Sequence, residues 1–468
     1  MDNEDKDTRR TASAIIQEFI QQILKGHTEE EMLALHREHG EFVRIADKEV
    51  SIGHPDAVKH LLHAKLAKSS WYEVFSIPDY RFVSQMSETD PQRHIDKGKN
   101  VAAGYALSNI IKPEAFVDEI INTLKEQLDI LVESGKSVHL DKWFNYFAFD
   151  VVGEVTSSQS FGFVKAGNDV GNAIANARKL ALYISVMGHF VWFLTIASPL
   201  LSTLGLIPAS HLSDTCVAAI ESRKKKPEAR NDMVERWLSV RKMHPERMAE
   251  VEVFAAAAAN LGAGAETVST SLQALIYYLL QNLVYLRRPQ NELDAAQTRG
   301  ELSQAVQYSG SQSLPYLQAC RYHSSIGTNL PRVVPKGGLT IRGRYLQRER
   351  KLIAQTLLSI NLWVIHRNPD IFGPDSNSFN PERWLDKERA KSMDCFLVHP
   401  DTINCPGRNL AHFKINKLAA TLIRDFEFKR VDAKKKWSFK NHFITTPCDW
   451  PCQARRREKL TAVGSTVY

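Results

Sequence analysis

Apolar residues recur every three or four positions along much of the chain, which is the spacing of one buried face of a helix. Two clear series are Ile15, Ile16, Phe19, Ile20, Ile23 and Phe116, Ile120, Leu124, Leu128, Leu131. Residues 249–283 contain no proline and include five consecutive alanines at 255–259. We therefore predict one long uninterrupted helix there, packed closely against something bulky.

Strand patterns are few and short. Alternating apolar positions predict one strand pair over residues 41–45 and 49–52, and a second over 332–335 and 339–341. Two proline-containing loops, at 368–374 and 380–384, precede a cysteine region and a helical run at 410–423. The pattern predicts a mainly α chain with a small sheet.

Composition and charge exclude several classes of protein. The 468 residues are 43% hydrophobic and carry a formal charge of +7, which is typical of a globular chain with ample core material. Basic runs are short, and only the run at 434–436 has aromatic neighbours, Trp437 and Phe439. That is too little for nucleic-acid binding, so we predict no nucleic-acid partner.

Six cysteines in so long a chain form neither a disulfide framework nor a zinc motif, which predicts an intracellular protein.

The chain begins with polar residues from Met1 to Asp7, so no membrane anchor is predicted at this end. Residues 180–206 are the most apolar stretch but are interrupted by Ser185, His189 and Pro199. We expect peripheral membrane contact there rather than a span.

A first candidate for chemistry is the sequence Asn-Cys-Pro-Gly-Arg at 404–408, just before a predicted helix. A helix N-terminus stabilises the thiolate of Cys405, and Gly407 permits close approach of a flat cofactor. Taken alone, the window favours the alternative, an inert buried cysteine.

A second candidate is Ala-Gly-Ala-Glu-Thr at 263–267, inside the long predicted helix. Gly264 could open the helix beside a ligand, Thr267 could donate a hydrogen bond to bound oxygen, and Glu266 could supply protons from solvent. The alternative is a helix kink in which the Thr267 hydroxyl bonds a backbone carbonyl, and alone that alternative is favoured.

Together the two motifs resemble the cytochrome P450 monooxygenases. Further matches extend from about residue 33 to 455 and lie at 41–45, 70–72, 149–154, 314–320, 330–338 and 379–385. They are most similar to the fungal branch that includes pisatin demethylase and benzoate hydroxylase.

The resemblance implies the mainly α cytochrome P450 fold, with haem between the long central helix and the Cys405 loop. It implies an N-terminal extension at 1–32, the P450 domain at 33–455 and a tail at 456–468. Cys405 would be the axial thiolate ligand of the iron, and Gly407, Arg332 and His94 would also contact the cofactor. Without the resemblance, Arg332 would be interpreted as a surface cation.

The same resemblance implies a reaction and partners. A hydrophobic small molecule, in fungal secondary metabolism, would lie under Ala259, Ala263 and Thr267. Glu266 and Thr267 would deliver protons during oxygen activation. Electrons would come from an NADPH–cytochrome P450 reductase docked near Cys405. Residues 180–206 would hold the protein on the cytoplasmic face of the endoplasmic reticulum.

The chain also departs from the family pattern. Cys320 is followed at once by Arg321, so the glutamate of the Glu-x-x-Arg motif is absent. We expect Arg321 and Arg383 to lack an anionic partner, unless Glu382 substitutes, and such a loss typically costs about 3–5 kcal/mol.

Three further departures are local. The loop before Cys405 is one residue short and has Pro400, Asp401 and Ile403 where glycines and a cation are expected. Residues 347–351 do not resemble a strand, and Gly98 stands at an expected arginine. The alternative function is therefore a catalytically compromised haem- or ligand-binding relative.

Overall fold

The computed structural model describes residues 20–58, 61, 66–208, 210–225, 230–320, 323–341, 350–394 and 405–458. The α-helices are α1 Thr28–His39, α2 Pro55–Val58, α3 Pro91–Ala102, α4 Leu107–Ile110, α5 Glu114–Glu133, α6 Leu140–Ser157, α7 Phe163–Ala166, α8 Ala173–Met187, α9 Val191–Thr203, α10 Ser210–Lys225, α11 Met233–Met243, α12 Glu250–Gly264, α13 Glu266–Gln281, α14 Leu283–Thr298, α15 Tyr308–Gln312, α16 Pro315–Ala319, α17 Leu362–His366, α18 Pro369–Phe372, α19 Lys387–Asp394 and α20 Arg408–Asp425. Short 3-10 helices cover Ser70–Phe75, Ala103–Tyr105, Val170–Asn172, Gly188–Phe190 and Pro381–Trp384.

The strands are β1 Phe42–Ala46, β2 Glu49–Ile52, β3 Arg332–Val333, β4 Leu339–Ile341, β5 Arg350–Leu352, β6 Leu357–Ser359, β7 Phe426–Arg430, β8 Ser438–His442, β9 Ile444–Cys448 and β10 Cys452–Arg456. One sheet has the order β1-β2-β6-β3, and three two-stranded sheets pair β4 with β5, β7 with β10 and β8 with β9. The mainly α fold predicted from the sequence is confirmed.

Helix α6 lies at the centre of the main core. It is apolar around most of its circumference, and nearly every residue from Leu140 to Thr156 is buried. Helices α12 and α13 pack against it, and α20 packs against α13. A helix without a polar face must be covered on all sides, which explains why the longest elements surround this one.

The strand predictions are partly right. Strands β1 and β2 form the predicted antiparallel pair. The expected pairing of 332–335 with 339–341 is wrong, because β3 pairs with β6 and β4 pairs with β5. Residues 350–352 form a strand despite their charge, since the backbone of β4 supplies their hydrogen-bond partners.

Helix α1 crosses the predicted boundary at residue 33. The Asn441 amide nitrogen donates to the Thr28 hydroxyl at 2.9 Å, and Met32 is buried. Residues on both sides of that boundary therefore pack on the body of the protein. The predicted limits 1–32, 33–455 and 456–468 stay predictions.

The apolar stretch at 180–206 forms the end of α8, a 3-10 turn and α9. The stretch Val170–Thr203 is long and apolar enough to cross a membrane; its most apolar 18-residue window has a mean hydropathy of 1.8, and only 28% of that window is buried. On α9, Trp192, Ile196 and Leu200 are 72%, 77% and 63% exposed. This helix therefore presents an apolar face to its surroundings.

Candidate active site

The central helix predicted over 249–283 is interrupted. Helix α12 ends at Gly264 and α13 begins at Glu266, with Ala265 at φ −95° and ψ −65° between them. The Thr267 hydroxyl donates to the Ala263 carbonyl at 2.7 Å, as the alternative interpretation of this motif expected. The ammonium of Lys414 donates to the Gly264 carbonyl at 2.8 Å. Side-chain donors thus bind the carbonyls at the break, which bends helices.

Gly264 has a different role from the one predicted. A β-carbon at this position would lie 3.0 Å from a methyl carbon of Val152 on α6. The glycine therefore allows α12 to approach α6, and it does not open the helix towards a ligand.

A notch of small side chains runs along one face of the central helix. Ala263 is exposed and Ala259 and Thr267 are partly exposed, although 253–258 are buried. The three positions are spaced by four residues and so share one face. A solvent-accessible stripe in the middle of a buried helix leaves room for a ligand, and the expected position of the substrate under Ala259, Ala263 and Thr267 stays a prediction.

Glu266 lies beside this notch and is only 3% exposed. Its Oε1 atom has no hydrogen-bond partner among the described residues, and the Arg178 Nε atom is 3.9 Å away. Burial raises the pKa of Glu266 to about 7. A carboxyl group with this pKa can release and regain a proton near neutral pH.

Cys405 is exposed and lies directly before α20, where the Arg408 amide donates to the Cys405 carbonyl at 3.4 Å. Among the described residues, a β-carbon on Gly407 would meet only the Cys405 sulfur, at 3.8 Å. The expected contact of Gly407 with a flat cofactor stays a prediction. The predictions for Pro400, Asp401, Ile403 and Arg321 lie outside the described residues.

Lys68 lies between Arg332 and His94 and contacts both. The sequence did not predict this residue. The Arg332 guanidinium donates to the Tyr72 hydroxyl at 2.6 Å, and the Lys68 ammonium lies 5.2 Å from the centre of the Tyr72 ring. The same ammonium is 3.2 Å from Nδ1 of His94, which is 2.9 Å from the Gln85 carbonyl. An isolated β-bridge between Lys68 and Arg332 fixes their backbones.

Lys68 and Arg332 form a cation cluster that is short of negative charge, and the ring of His94 lies beside it. Burial, and then Arg332, lowers the pKa of Lys68 to about 7, and burial, and then Lys68, lowers the pKa of His94 to about 4. Glu88 acts on Lys68 from a distance but lies 3.3 Å from Arg93. In the described part of the chain, no ion pair joins Lys68 or Arg332 to a carboxylate. An anionic ligand such as a pair of haem propionates fits this cluster.

Arg383 does not lack an anionic partner, contrary to expectation. Its guanidinium donates to the Asp375 carboxylate at 3.0 Å and to the carbonyls of Phe372, Asp375 and Ser378. Glu382 is not the substitute, because it lies 2.9 Å from Arg288. Asp375 was missed because nothing in its local sequence distinguishes it.

Gln85 fills part of the space expected for the missing arginine. A β-carbon on Gly98 would lie 2.7 Å from the Gln85 amide nitrogen. The glycine on α3 is thus matched by a neighbouring polar side chain.

Three features suit a protein that binds haem through a thiolate. A thiol lies directly before a helix, a buried acid lies beside the notch of the central helix, and two cations have no ion pair to a carboxylate in the described part of the chain. Comparison with known proteins agrees, since the family model described as cytochrome P450 matches residues 11–448. The chain belongs to the cytochrome P450 family. The predicted class, a haem-dependent monooxygenase with a thiolate-bound haem, is confirmed.

Relatives place the chain in the predicted fungal branch. Cytochrome P450 monooxygenase cicH from Emericella nidulans is 30% identical, over 93% of this chain and 89% of its own length. A pisatin demethylase from Fusarium vanettenii is 29% identical, over 88% and 81%. Cytochrome P450 monooxygenase hepC from Aspergillus oryzae is 27% identical, over 89% and 86%.

Proposed function

We propose that this P450 is a working enzyme in which Cys405 ligates the haem iron and the cation cluster holds the propionates. The observation that carries the proposal is the meeting of Lys68 and Arg332 on Tyr72, where no ion pair joins either cation to a carboxylate of the described residues. Bringing cations together in a buried site costs free energy unless a ligand supplies the anion. A protein that had lost its cofactor would gain nothing from keeping this arrangement.

The intact Arg383 network also supports a working enzyme over the compromised alternative. One argument for damage was that Arg383 lacks an anionic partner, and Asp375 supplies one. The haem, when bound, supplies the oxidising chemistry and the protein positions the substrate.

Proton movement is assigned to Glu266 and Thr267. Glu266 takes a proton at Oε1 from the side of Arg178, whose side chain is 45% exposed and so reaches solvent. The Thr267 hydroxyl holds its proton against the Ala263 carbonyl and donates it elsewhere when its side chain rotates. A carboxyl with a pKa near 7 beside a hydroxyl is suited to passing protons into a closed site.

The substrate is a hydrophobic small molecule of fungal secondary metabolism, and relatives named cytochrome P450 monooxygenase and pisatin demethylase support an oxidation of that kind. Electrons come from an NADPH–cytochrome P450 reductase that docks on the side of Cys405. The exposed face of α9 holds the protein peripherally on the cytoplasmic face of the endoplasmic reticulum. Replacing Trp192, Ile196 and Leu200 with serine should move the protein into the high-speed supernatant, whereas serine at buried Leu194 should destabilise it instead.

The direct test compares the wild type with Cys405→Ser. Reduced, carbon monoxide-treated wild type should show the Soret shift of a thiolate-bound haem, and the variant should lose it. Cys448→Ser, a partly exposed cysteine elsewhere, is the matched control and should keep it. Wild type that remains colourless after reconstitution with haemin would refute the proposal and favour the compromised alternative.

The proton roles have a separate test. Glu266→Gln and Thr267→Ala should lower product formation about 10²-fold or more while hydrogen peroxide release per NADPH rises, since protons no longer arrive on time. Ser271→Ala, one turn further along the same helix, is the control. Unchanged coupling in both variants would remove these residues from the mechanism.

A further inference from the structure

A cavity of about 210 Å³ lies beside the sheet, at the edge of the candidate active site. Its wall is formed by α1, the start of β2, the turn at Ser70–Phe75, the end of α8 and the segment before β3. Trp71 and Pro331 line it and are each adjacent in sequence to a member of the Tyr72–Arg332 pair. The cavity therefore neighbours the proposed propionate end of the haem.

The described part of this wall holds a single ionisable acid and no strong base. Glu49 is the only acidic residue among the described residues that line the cavity, and none of them is a lysine or an arginine. His189 also lines the cavity, but burial lowers its pKa to about 4, so the ring is neutral near pH 7. Nothing in the wall itself balances a carboxylate.

Glu49 lies deep in the fold and yet keeps accessible surface, because it borders the cavity. Its backbone is held in register with Leu357 of β6. Burial raises the pKa of Glu49, and the nearby side chains of Ser359 and Asn329 oppose that shift. Glu49 also raises the pKa of Tyr72, so its carboxyl lies near the pair that Tyr72 forms with Arg332.

The rest of the wall suits the surroundings of a cation. Trp71 contributes an indole, which is the side chain with the strongest attraction for cations over its face. Ser69 is 2% exposed, and its hydroxyl oxygen has no hydrogen-bond partner among the described residues. Thr28 and Asn441 add further polar groups at the cavity.

We propose that this cavity binds the ammonium group of an amine-bearing, otherwise apolar substrate, with Glu49 as its counter-ion and Trp71 as its aromatic wall. The inference rests on the proposed function in one respect, that the amine is the molecule oxidised. Binding of an ammonium group to the cavity does not itself require the haem chemistry.

The test uses the haem-loaded protein and two probes of equal shape. Choline carries a quaternary ammonium, and 3,3-dimethylbutan-1-ol has carbon in place of that nitrogen. By calorimetry, wild type should bind choline at least tenfold more tightly than the alcohol, and Glu49→Gln should abolish this preference without weakening the alcohol. Glu29→Gln, a neighbouring buried acid outside the cavity wall, should keep it.

Equal affinities of the two probes for wild type would overturn the inference, and this comparison needs no variant to fold. A preference that survives in Glu49→Gln would overturn the role of Glu49. A longer cation, octyltrimethylammonium, should shift the Soret band of wild type, and octan-1-ol should not. Absence of that shift in protein with an intact carbon monoxide spectrum would reject the amine as substrate while leaving the proposed function untouched.

Discussion

Two arginines in this molecule occupy opposite electrostatic situations. Arg383 has every side of its guanidinium bound by Asp375 and by backbone carbonyls of the same loop. Arg332 bonds the Tyr72 hydroxyl and the Pro331 carbonyl and lies near Lys68, and within the described residues no ion pair joins either cation to a carboxylate. The resemblance to the family singled out both arginines, yet only Arg383 is paired with a carboxylate of the protein, that of Asp375.

The difference separates scaffold from binding site. A cation whose partners all come from the protein stabilises the fold and does not attract a ligand. A cation group left without its anion destabilises the empty protein and stabilises the complex. The charge balance around an arginine therefore distinguishes a scaffold residue from a ligand-binding residue, which the residue type alone does not.

The largest effect should come from Arg383→Met. It leaves Asp375 and several buried carbonyls without a donor, so the free energy of unfolding of the haem-free protein should fall by about 3–5 kcal/mol. Denaturant unfolding followed by circular dichroism measures this. A fall below about 1 kcal/mol would mean that Arg383 is not a scaffold residue.

Arg332→Met should behave in the opposite way. Haem affinity should fall by about 1.5–3 kcal/mol, roughly 10- to 150-fold, because a hydrogen bond to a charged group is lost. Stability of the haem-free protein should change by less than about 1 kcal/mol, since a repulsion with Lys68 is also relieved. If the haem-free variant unfolds as readily as Arg383→Met, the contrast between the two arginines fails.

The titration of Lys68 sharpens the comparison. The pKa of Lys68 is about 7 in the folded protein, and the ordinary pKa of a lysine is 10.5. Between these two pH values the unfolded chain therefore binds more protons than the folded protein. Stability of the haem-free protein should therefore rise with pH from about 7 to 10, by at most about 1.4 kcal/mol per pH unit for this group. Lys68→Met should remove that share of the slope, and so should bound haem.

Lys414 provides the control for this measurement. Burial lowers its pKa to about 7 as well, and both ammonium groups donate to two backbone carbonyls, Lys414 to Ala148 and Gly264 and Lys68 to Gln85 and Met86. Unlike Lys68, Lys414 is not part of the proposed propionate site. Its share of the slope should therefore remain when haem binds. A slope that haem leaves wholly intact would show that Lys68 does not face the propionates.

The smallest effect is expected for Glu382→Gln. The pair with Arg288 is about half exposed on both sides, and such pairs contribute less than about 1 kcal/mol. Haem affinity should be unchanged. A loss comparable with that of Arg383→Met would restore Glu382 as the substitute for the missing motif glutamate.

The sequence was informative wherever a motif is contiguous. Cys405 before a helix and the pair Glu266–Thr267 are set by neighbours in the chain, and the structure puts them on the predicted elements. Lys68 was missed because its role depends on Arg332, which is far away in the sequence. Asp375 was missed because its contact with Arg383 depends on the geometry of the loop. The part that Lys414 plays at the break near Ala265 was missed for the same reason, since helix propensity contains no information about a lysine on another helix.

That lysine has a consequence for how the sequence can change. The Lys414 ammonium and the Gly264 carbonyl are 150 positions apart in the chain but share one hydrogen bond. A larger residue at 264 would meet Val152 and approach the same ammonium. Substitutions at the two sites should therefore be epistatic: each determines which residues the other tolerates, and lineages that change one should be found to have changed both.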